Sequence, residues 1–126
     1  SCTNTATQFA AIAALQGPQD SVDHMISEFD KRRKIMINLL NGIKGFECSN
    51  SKGAFYLFPS IKKTGLKSNN IENILLNKIG IAAVSGNSFG KLGEGYIRFS
   101  YANSEENIRL ALQKIKEYSE RIGWYA

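Results

Sequence analysis

Apolar residues recur every three or four positions along the stretch that runs from Asp20 to the glycines Gly42 and Gly45. The residues in this pattern are Val22, Met25, Ile26, Phe29, Met36, Leu39, Leu40 and Ile43. Such spacing places them on one face of an α-helix, and an acidic start with a glycine end is typical of helix termini. The pattern predicts one long amphipathic helix.

A shorter helix is predicted near the start of the chain. The segment from Thr5 to Gln8 has the residue types and the spacing of a capping box. It opens an alanine-rich run that ends at Gly17 and Pro18, two residues that stop helices. The run contains Phe9, Ile12 and Leu15. Because the segment is so apolar, we interpret it as a short buried helix.

Two more helices are predicted in the second half of the chain. A short one that ends at Gly80 is marked by Ile71, Ile74 and Leu75. The last helix starts at Ser104, a residue type that caps helices, and ends at Gly123. Its apolar stripe consists of Ile108, Ala111, Leu112, Ile115, Tyr118 and Ile122.

Strand patterns occupy the intervals between these helices. Residues 46–48 and 54–58 are separated by a polar turn segment and predict a hairpin. Residues 81–84 and 96–101 predict two further strands. In the last strand, Arg98 points away from an apolar face that is formed by Ile97, Phe99 and Tyr101.

This order of elements is typical of an α/β domain. We expect a two-layer sandwich in which helices cover a small mixed or antiparallel sheet mainly on one side, with a long helix near the N-terminus. The length of 126 residues suits one domain, and 43% hydrophobic with 21% charged residues is an ordinary globular composition.

The ends and the hydropathy of the chain bear on its surroundings. No apolar stretch is long enough to cross a bilayer, and the first residues lack a signal pattern. We therefore expect a soluble protein without a membrane partner. The chain begins at Ser1 without an initiator Met, so we expect it to be a piece of a longer protein.

The net charge of +5 permits an anionic partner without requiring one. The densest basic run, residues 31–34, lies inside the long helix, and we interpret it as a solvated helix face and expect no nucleic-acid partner. Cys2 and Cys48 have no metal-binding or disulfide-scaffold spacing. His24 lies in no recognisable nucleophile motif, so we expect a surface residue and no metal site.

A glycine loop lies between the last two predicted strands. Gly90 and Lys91 resemble the end of a phosphate-binding P-loop, but Gly86 stands four residues before Gly90, where the P-loop motif has five. Leu92 replaces the hydroxyl residue that binds magnesium, and a strand follows where a helix should begin. We interpret the loop as a turn in which backbone passes close to another group.

The aromatic strand at residues 52–58 has some likeness to an RNA-recognition motif. The offsets of its aromatic residues and the order of elements differ from that motif. We therefore interpret Phe55, Tyr56 and Phe58 as core aromatics.

Arg98 is the candidate binding residue. A planar guanidinium on a rigid strand, with glycines and tyrosines nearby, is suited to bidentate contact with a small carboxylate. Spacing alone favours a structural ion pair. Both interpretations stay open on the residue pattern.

Three stretches, taken together, resemble the class I/II aminotransferases of fold type I, of the aspartate aminotransferase type. They are residues 53–59 (Gly-Ala-Phe-Tyr-Leu-Phe-Pro), residues 80–90 with the start of the glycine loop, and residues 96–108 (Tyr-Ile-Arg-Phe-Ser-Tyr-Ala-Asn-Ser-Glu-Glu-Asn-Ile). The segments 1–8 and 15–20 also fit, so the likeness covers nearly the whole chain.

The resemblance implies a homodimeric, cytoplasmic enzyme in which pyridoxal 5'-phosphate, held on a lysine, carries an amino group between an amino acid, here aspartate, and a 2-oxo acid. It makes residues 1–18 the end of the large-domain and interdomain segment, and residues 19–126 the C-terminal small domain. The cofactor lysine belongs to the large domain, so this chain alone is expected to be inactive.

The resemblance also assigns residues. Arg98 matches the arginine that binds the substrate α-carboxylate. Thr3 and Asn4 are placed near the dimer interface and the cofactor phosphate of the partner subunit. No residue of this chain is implied to be catalytic or to attach the cofactor. Two other functions stay open on the sequence, a stand-alone carboxylate-binding module and an RNA-binding module.

Overall fold

Helices make up most of the regular structure in the part of the chain that the computed structural model describes, residues 2–124. The α-helices there are α1 (Thr5–Gln16), α2 (Asp20–Asn41), α3 (Ser68–Ile74) and α4 (Glu105–Ile122). The strands are β1 (Tyr56–Leu57), β2 (Val84–Ser85) and β3 (Ile97–Ser100). Across residues 2–124, no helix is long and apolar enough to cross a membrane.

The strands form one antiparallel sheet in the order β1-β3-β2. In this sheet Tyr56 pairs with Ser100, and Val84 pairs with Arg98. The strand that contains Arg98 is therefore the central one, paired on both edges. This position gives its backbone the most rigid setting that a small sheet offers.

All four predicted strands are shorter than the sequence pattern indicates, and the one predicted at 96–101 is β3 (Ile97–Ser100). The predicted strand at 46–48 is reduced to an isolated bridge between Glu47 and Ser60. Ala54 has a left-handed backbone with φ of 54°, which ends the extended conformation before β1. Of residues 81–84, only Val84 joins the ladder, and the strand continues to Ser85.

The hydrophobic core lies on one side of the sheet. Leu57, Ile97 and Phe99 point into it from the strands. The helical contribution comes from Met36 and Leu40 near the end of α2, with Ile43 just beyond it, and from Ile108, Leu112 and Ile115 on α4. Because helices cover this face and the other face is left open, the predicted two-layer α/β fold is confirmed.

Both long helices have the predicted ends. The helix α2 runs over Asp20–Asn41, and α4 begins after Ser104, whose hydroxyl accepts a hydrogen bond from the Asn107 backbone N–H at 3.2 Å. Gly123 ends α4 in the left-handed conformation. An ion pair between Lys31 and Glu105, 3.2 Å long, joins the two helices.

The predicted cap of α1 is displaced by one residue. Asn4, not Thr5, is the cap, and its side-chain oxygen accepts a hydrogen bond from the Thr7 backbone N–H at 2.9 Å. The prediction of a buried helix is wrong for this chain. All residues of α1 are exposed, and Leu15 is 83% exposed. Gly17, beyond the end of the helix, is half-buried. Exposed apolar surface of this kind is typical of a site that contacts another surface.

Candidate functional site

Arg98 lies on the open face of the central strand. Its neighbours Ile97 and Phe99 are buried on the opposite face, as strand alternation requires. The Arg98 side chain is half-buried. Because Val84 is its partner across the ladder, the backbone of Arg98 is held by β2 as well as by β1.

Two aromatic rings contact the Arg98 guanidinium. Its central carbon lies 4.2 Å from the ring centre of Tyr56 and 4.4 Å from the ring centre of Phe89. No described residue forms an ion pair or a hydrogen bond with the Arg98 side chain. The structural ion pair that spacing alone favours is therefore not present within residues 2–124. The rings contact the guanidinium while its N–H groups stay available to an acceptor.

The contact with Phe89 is part of a longer row of rings, Tyr56, Phe58, Phe89 and Tyr96, which we call the aromatic row. Phe58 stacks on Tyr96 with an interplanar angle of 3° and meets Phe89 edge-on at 5.9 Å between ring centres. The ammonium of Lys62 lies 4.9 Å from the centre of the Tyr96 ring. The open face of the sheet is thus aromatic and cationic.

The interpretation of residues 55, 56 and 58 as core aromatics is wrong. Phe55 is 42% exposed and Phe58 is 38% exposed, whereas Leu57 between them is fully buried. Along the strand, Tyr56 and Phe58 fall on the open face and Leu57 falls on the core face. Phe55 precedes the strand, and its ring centre lies 6.4 Å from that of Phe29 on α2. Among the described contacts of these three rings, the one with the Arg98 guanidinium is made by Tyr56.

The loop that carries Phe89 is built on a close approach of two glycines. A Cβ atom on Gly86 would lie 1.9 Å from the Gly93 carbonyl oxygen, and the reverse contact is equally short. Two single 3₁₀ turns, over Gly86–Phe89 and Lys91–Gly93, fill the space between them. The predicted close passage of backbone is confirmed, and the loop leads into β3.

A carboxylate fixes the far end of this loop. Glu94 accepts hydrogen bonds from the Ser68 backbone N–H at 3.0 Å and from the side chain of Asn87. These bonds, the one from Ser68 first, hold the pKa of Glu94 below its ordinary value. The Ser68 hydroxyl in turn accepts a hydrogen bond from the Gly95 N–H at 2.8 Å. The loop is therefore anchored to the start of α3.

Two residues of the basic run on α2 form ion pairs within the helix. Lys34 and Arg33 both pair with Asp30, and the first of these contacts is the larger cause of the lowered pKa of Asp30. The predicted solvated face is confirmed for Lys31 and Lys34. It is wrong for Arg33, which is mostly buried and binds Asn50 and the Ser51 carbonyl.

The remaining candidates of the sequence lie at the surface or have other partners. His24 is exposed, as expected. Cys2 and Cys48 are free, and burial raises the pKa of the Cys48 thiol to about 11. Asn4 caps α1, and the Thr3 carbonyl accepts a hydrogen bond from the Gln8 side chain at 2.8 Å. Both are exposed and available to a partner.

The sequence pattern did not assign Tyr56 or Phe89 to this site. Tyr56 lies on the same sheet face as Arg98, and combining the strand alternation with the pairing of β1 and β3 would have found it. Phe89 gives no such signal because it lies on a loop. Only the position of the loop backbone brings its ring to the guanidinium.

The chain belongs to the aminotransferase class I and II family, whose model matches residues 1–115. An aspartate aminotransferase of Pyrococcus horikoshii is 38% identical over 115 residues, which cover 90% of this chain and 29% of that protein.

Solved structures agree with this assignment. A Pyrococcus protein superposes with a TM-score of 0.90 at 37% identity, over 98% of this chain and 32% of the other. The aromatic aminotransferase of Pyrococcus horikoshii gives 0.88 at 37% identity, over 93% and 32%. The fold is that of the fold-type-I aminotransferases. The chain spans about a third or less of the length of these relatives.

Proposed function

We propose that residues 19–126 form the C-terminal small domain of an aminotransferase dependent on pyridoxal 5'-phosphate, and that residues 1–18 are the end of its large-domain segment. The complete enzyme transfers an amino group between an amino acid, aspartate in our proposal, and a 2-oxo acid. The observation that carries this proposal is the half-buried Arg98 guanidinium, whose N–H groups have no acceptor among the described residues.

Arg98 binds the α-carboxylate of the substrate. A guanidinium offers two parallel N–H donors that match the two oxygens of a carboxylate, so a single residue fixes both the charge and the orientation of the ligand. Its place on the central strand fixes the position of those donors. Arg98 therefore positions the substrate for the reaction and transfers no proton.

The cofactor belongs to the part of the enzyme that precedes this domain. No lysine of this chain lies in the family's Schiff-base motif. Lys62, beside the aromatic row, lies over the Tyr96 ring. We assign no residue of this chain to cofactor attachment. When bound, pyridoxal phosphate supplies the electron sink for amino-group transfer, and this chain contributes the carboxylate site.

Uncovered apolar surface supports the assignment to a larger protein. The large apolar side chains that are exposed on α1 and the first turns of α2 are Phe9, Ile12, Leu15, Val22, Met25 and Ile26. In our proposal the large domain covers them. Movement of α2 against that domain brings the open face of the sheet over the substrate and excludes water.

The start of the chain faces a second subunit in this proposal. Thr3 and Asn4 are exposed, and the Asn4 side chain holds the N-terminus of α1 in place. A helix N-terminus presents unpaired N–H groups to an anion. We propose that this segment lies at the interface of a homodimer, near the cofactor phosphate of the partner subunit.

A substrate panel on the full-length enzyme tests the proposed reaction. Transamination would be followed with aspartate, glutamate, phenylalanine and tyrosine as donors and with matched 2-oxo acids as acceptors. The proposal predicts the highest kcat/KM for aspartate. The highest value for phenylalanine or tyrosine would keep the aminotransferase but overturn aspartate as its substrate, and no transamination with any donor would overturn both.

A further inference from the structure

Phe89 is exposed and outside the core, yet it makes two specific ring contacts. It is 51% exposed, and its contacts with other rings and cations are the edge-on one with Phe58 and the one with the Arg98 guanidinium. An exposed aromatic side chain usually gains little from its position. One of its two contacts is with the candidate binding residue Arg98.

The loop fixes where Phe89 stands. The Gly86 N–H donates to the Tyr96 carbonyl at 2.9 Å, and the Gly93 N–H donates to the Gly90 carbonyl at the same distance. Gly90 follows Phe89 with φ of 113°, a backbone conformation that favours glycine. The backbone that carries Phe89 is therefore held in place, and its ring contacts Phe58 and Arg98.

The Arg98 guanidinium needs contacts that fix its orientation, because the side chain is long. An arginine has several rotatable bonds, and no described hydrogen bond fixes its guanidinium. The contacts with Tyr56 and Phe89 are what restrict its orientation. Tyr56 belongs to β1, whereas Phe89 comes from a separate loop. The position of the loop can therefore set the orientation of the guanidinium.

We infer that Phe89 is a positioning residue for the substrate carboxylate, which acts by holding the Arg98 guanidinium in the orientation that binds two oxygens at once. This inference rests on the proposed carboxylate role of Arg98. Preorganisation of this kind lowers the entropy lost when the ligand binds. It affects ground state and transition state alike, so its loss raises KM and leaves kcat nearly unchanged.

The test uses variants of the full-length enzyme. Phe89→Ala is expected to raise KM about 3- to 10-fold and to leave kcat within about twofold of the wild type. This size is that of a cation–π contact at a partly exposed site. Phe89→Leu keeps apolar bulk but loses the ring face, so it should behave like Phe89→Ala. Phe89→Tyr should restore the wild-type KM.

Leu92 offers a matched control on the same loop. It is 96% exposed, whereas the ring contacts of Arg98 are with Tyr56 and Phe89. Leu92→Ala should leave KM and kcat unchanged. An unchanged KM in Phe89→Ala, or a normal KM in Phe89→Leu, would overturn the positioning role.

Combining Phe89→Ala with Arg98→Lys separates this inference from the proposed function. If the ring acts through the guanidinium, the loss caused by Phe89→Ala should shrink in the Arg98→Lys background, so the two effects should not multiply. Fully multiplicative effects would overturn the inference and leave the role of Arg98 standing. An Arg98→Ala enzyme with wild-type kcat/KM would overturn the proposed function itself.

Discussion

The guanidinium carbon of Arg98 lies 4.2 Å from the ring centre of Tyr56, a residue of the neighbouring strand. The two side chains share the open face of the sheet, while Leu57 and Phe99 share the core face beneath them. One ladder thus supplies core residues on one face and, in our proposal, the binding residue on the other. The same alternation that places Leu57 and Phe99 in the core places the charged Arg98 side chain on the open face.

In our proposal the Schiff-base lysine belongs to the large domain, so the isolated small domain should be inactive. Mixed with pyridoxal phosphate and borohydride, it should give only weak adducts spread over several lysines, detected by mass spectrometry. Stoichiometric labelling of one lysine together with transamination would refute this. Calorimetry with a simple carboxylate would separately show whether Arg98 binds acids without the large domain.

The exposed apolar surface of α1 should make the isolated domain associate. Phe9, Ile12 and Leu15 have no partner surface within residues 2–124. Exposed apolar patches of this kind promote association. Sedimentation at increasing concentration should show self-association, which Ile12→Lys with Leu15→Lys should reduce. A strictly monomeric wild-type domain, with slow hydrogen exchange at Phe9 and Ile12, would contradict this expectation.

Gly86→Ala should destabilise the domain. The added Cβ would meet the Gly93 carbonyl oxygen at 1.9 Å and the Tyr96 carbonyl oxygen at 2.8 Å, so the loop must shift. We expect a loss of about 1 to 3 kcal/mol in the free energy of unfolding, measured by urea denaturation. Gly53→Ala is the control, because nothing lies within 4 Å of its new Cβ. Equal stability of the two variants would show that the loop has no tight contact.

Glu105 should give the domain an acid-dependent component of stability. Arg109 first, and then Lys31, hold its pKa below the ordinary value of 4.5. A carboxyl whose folded pKa is lowered stabilises above its unfolded pKa, and this is lost as pH falls through the folded pKa.

Melting temperatures across an acid titration would test the role of Glu105. The wild type should exceed Glu105→Gln at neutral pH, and the two should converge at low pH. Glu106→Gln, on the same helical turn but without a described ion pair, should follow the wild type. A constant difference between wild type and Glu105→Gln at every pH would contradict the pKa argument.

The sequence predicts the helices better than the strands. The end of α4 at Gly123 follows from local chemistry, since a left-handed glycine is a local requirement. Strand lengths depend on pairing with distant residues. The left-handed backbone of Ala54 shortens β1, and no propensity scale shows that conformation for alanine.

At the site, the sequence locates Arg98 but not its surroundings. Alternation around Ile97 and Phe99 fixes the face on which Arg98 lies. The exposure of α1 reflects the absence of a packing surface among the described residues, and the contact of Phe89 depends on the path of its loop. Neither is a property of the local pattern.

The kinetics of Arg98 variants in the full-length enzyme test the central claim most directly. Loss of a bidentate, partly desolvated carboxylate contact should reduce kcat/KM for the amino acid by roughly 3 to 5 kcal/mol in Arg98→Ala. Arg98→Lys should recover only part, because an ammonium lacks the two parallel donors. Melting temperatures should hardly change, since no described ion pair is lost. An Arg98→Ala enzyme with near wild-type kcat/KM would contradict the account.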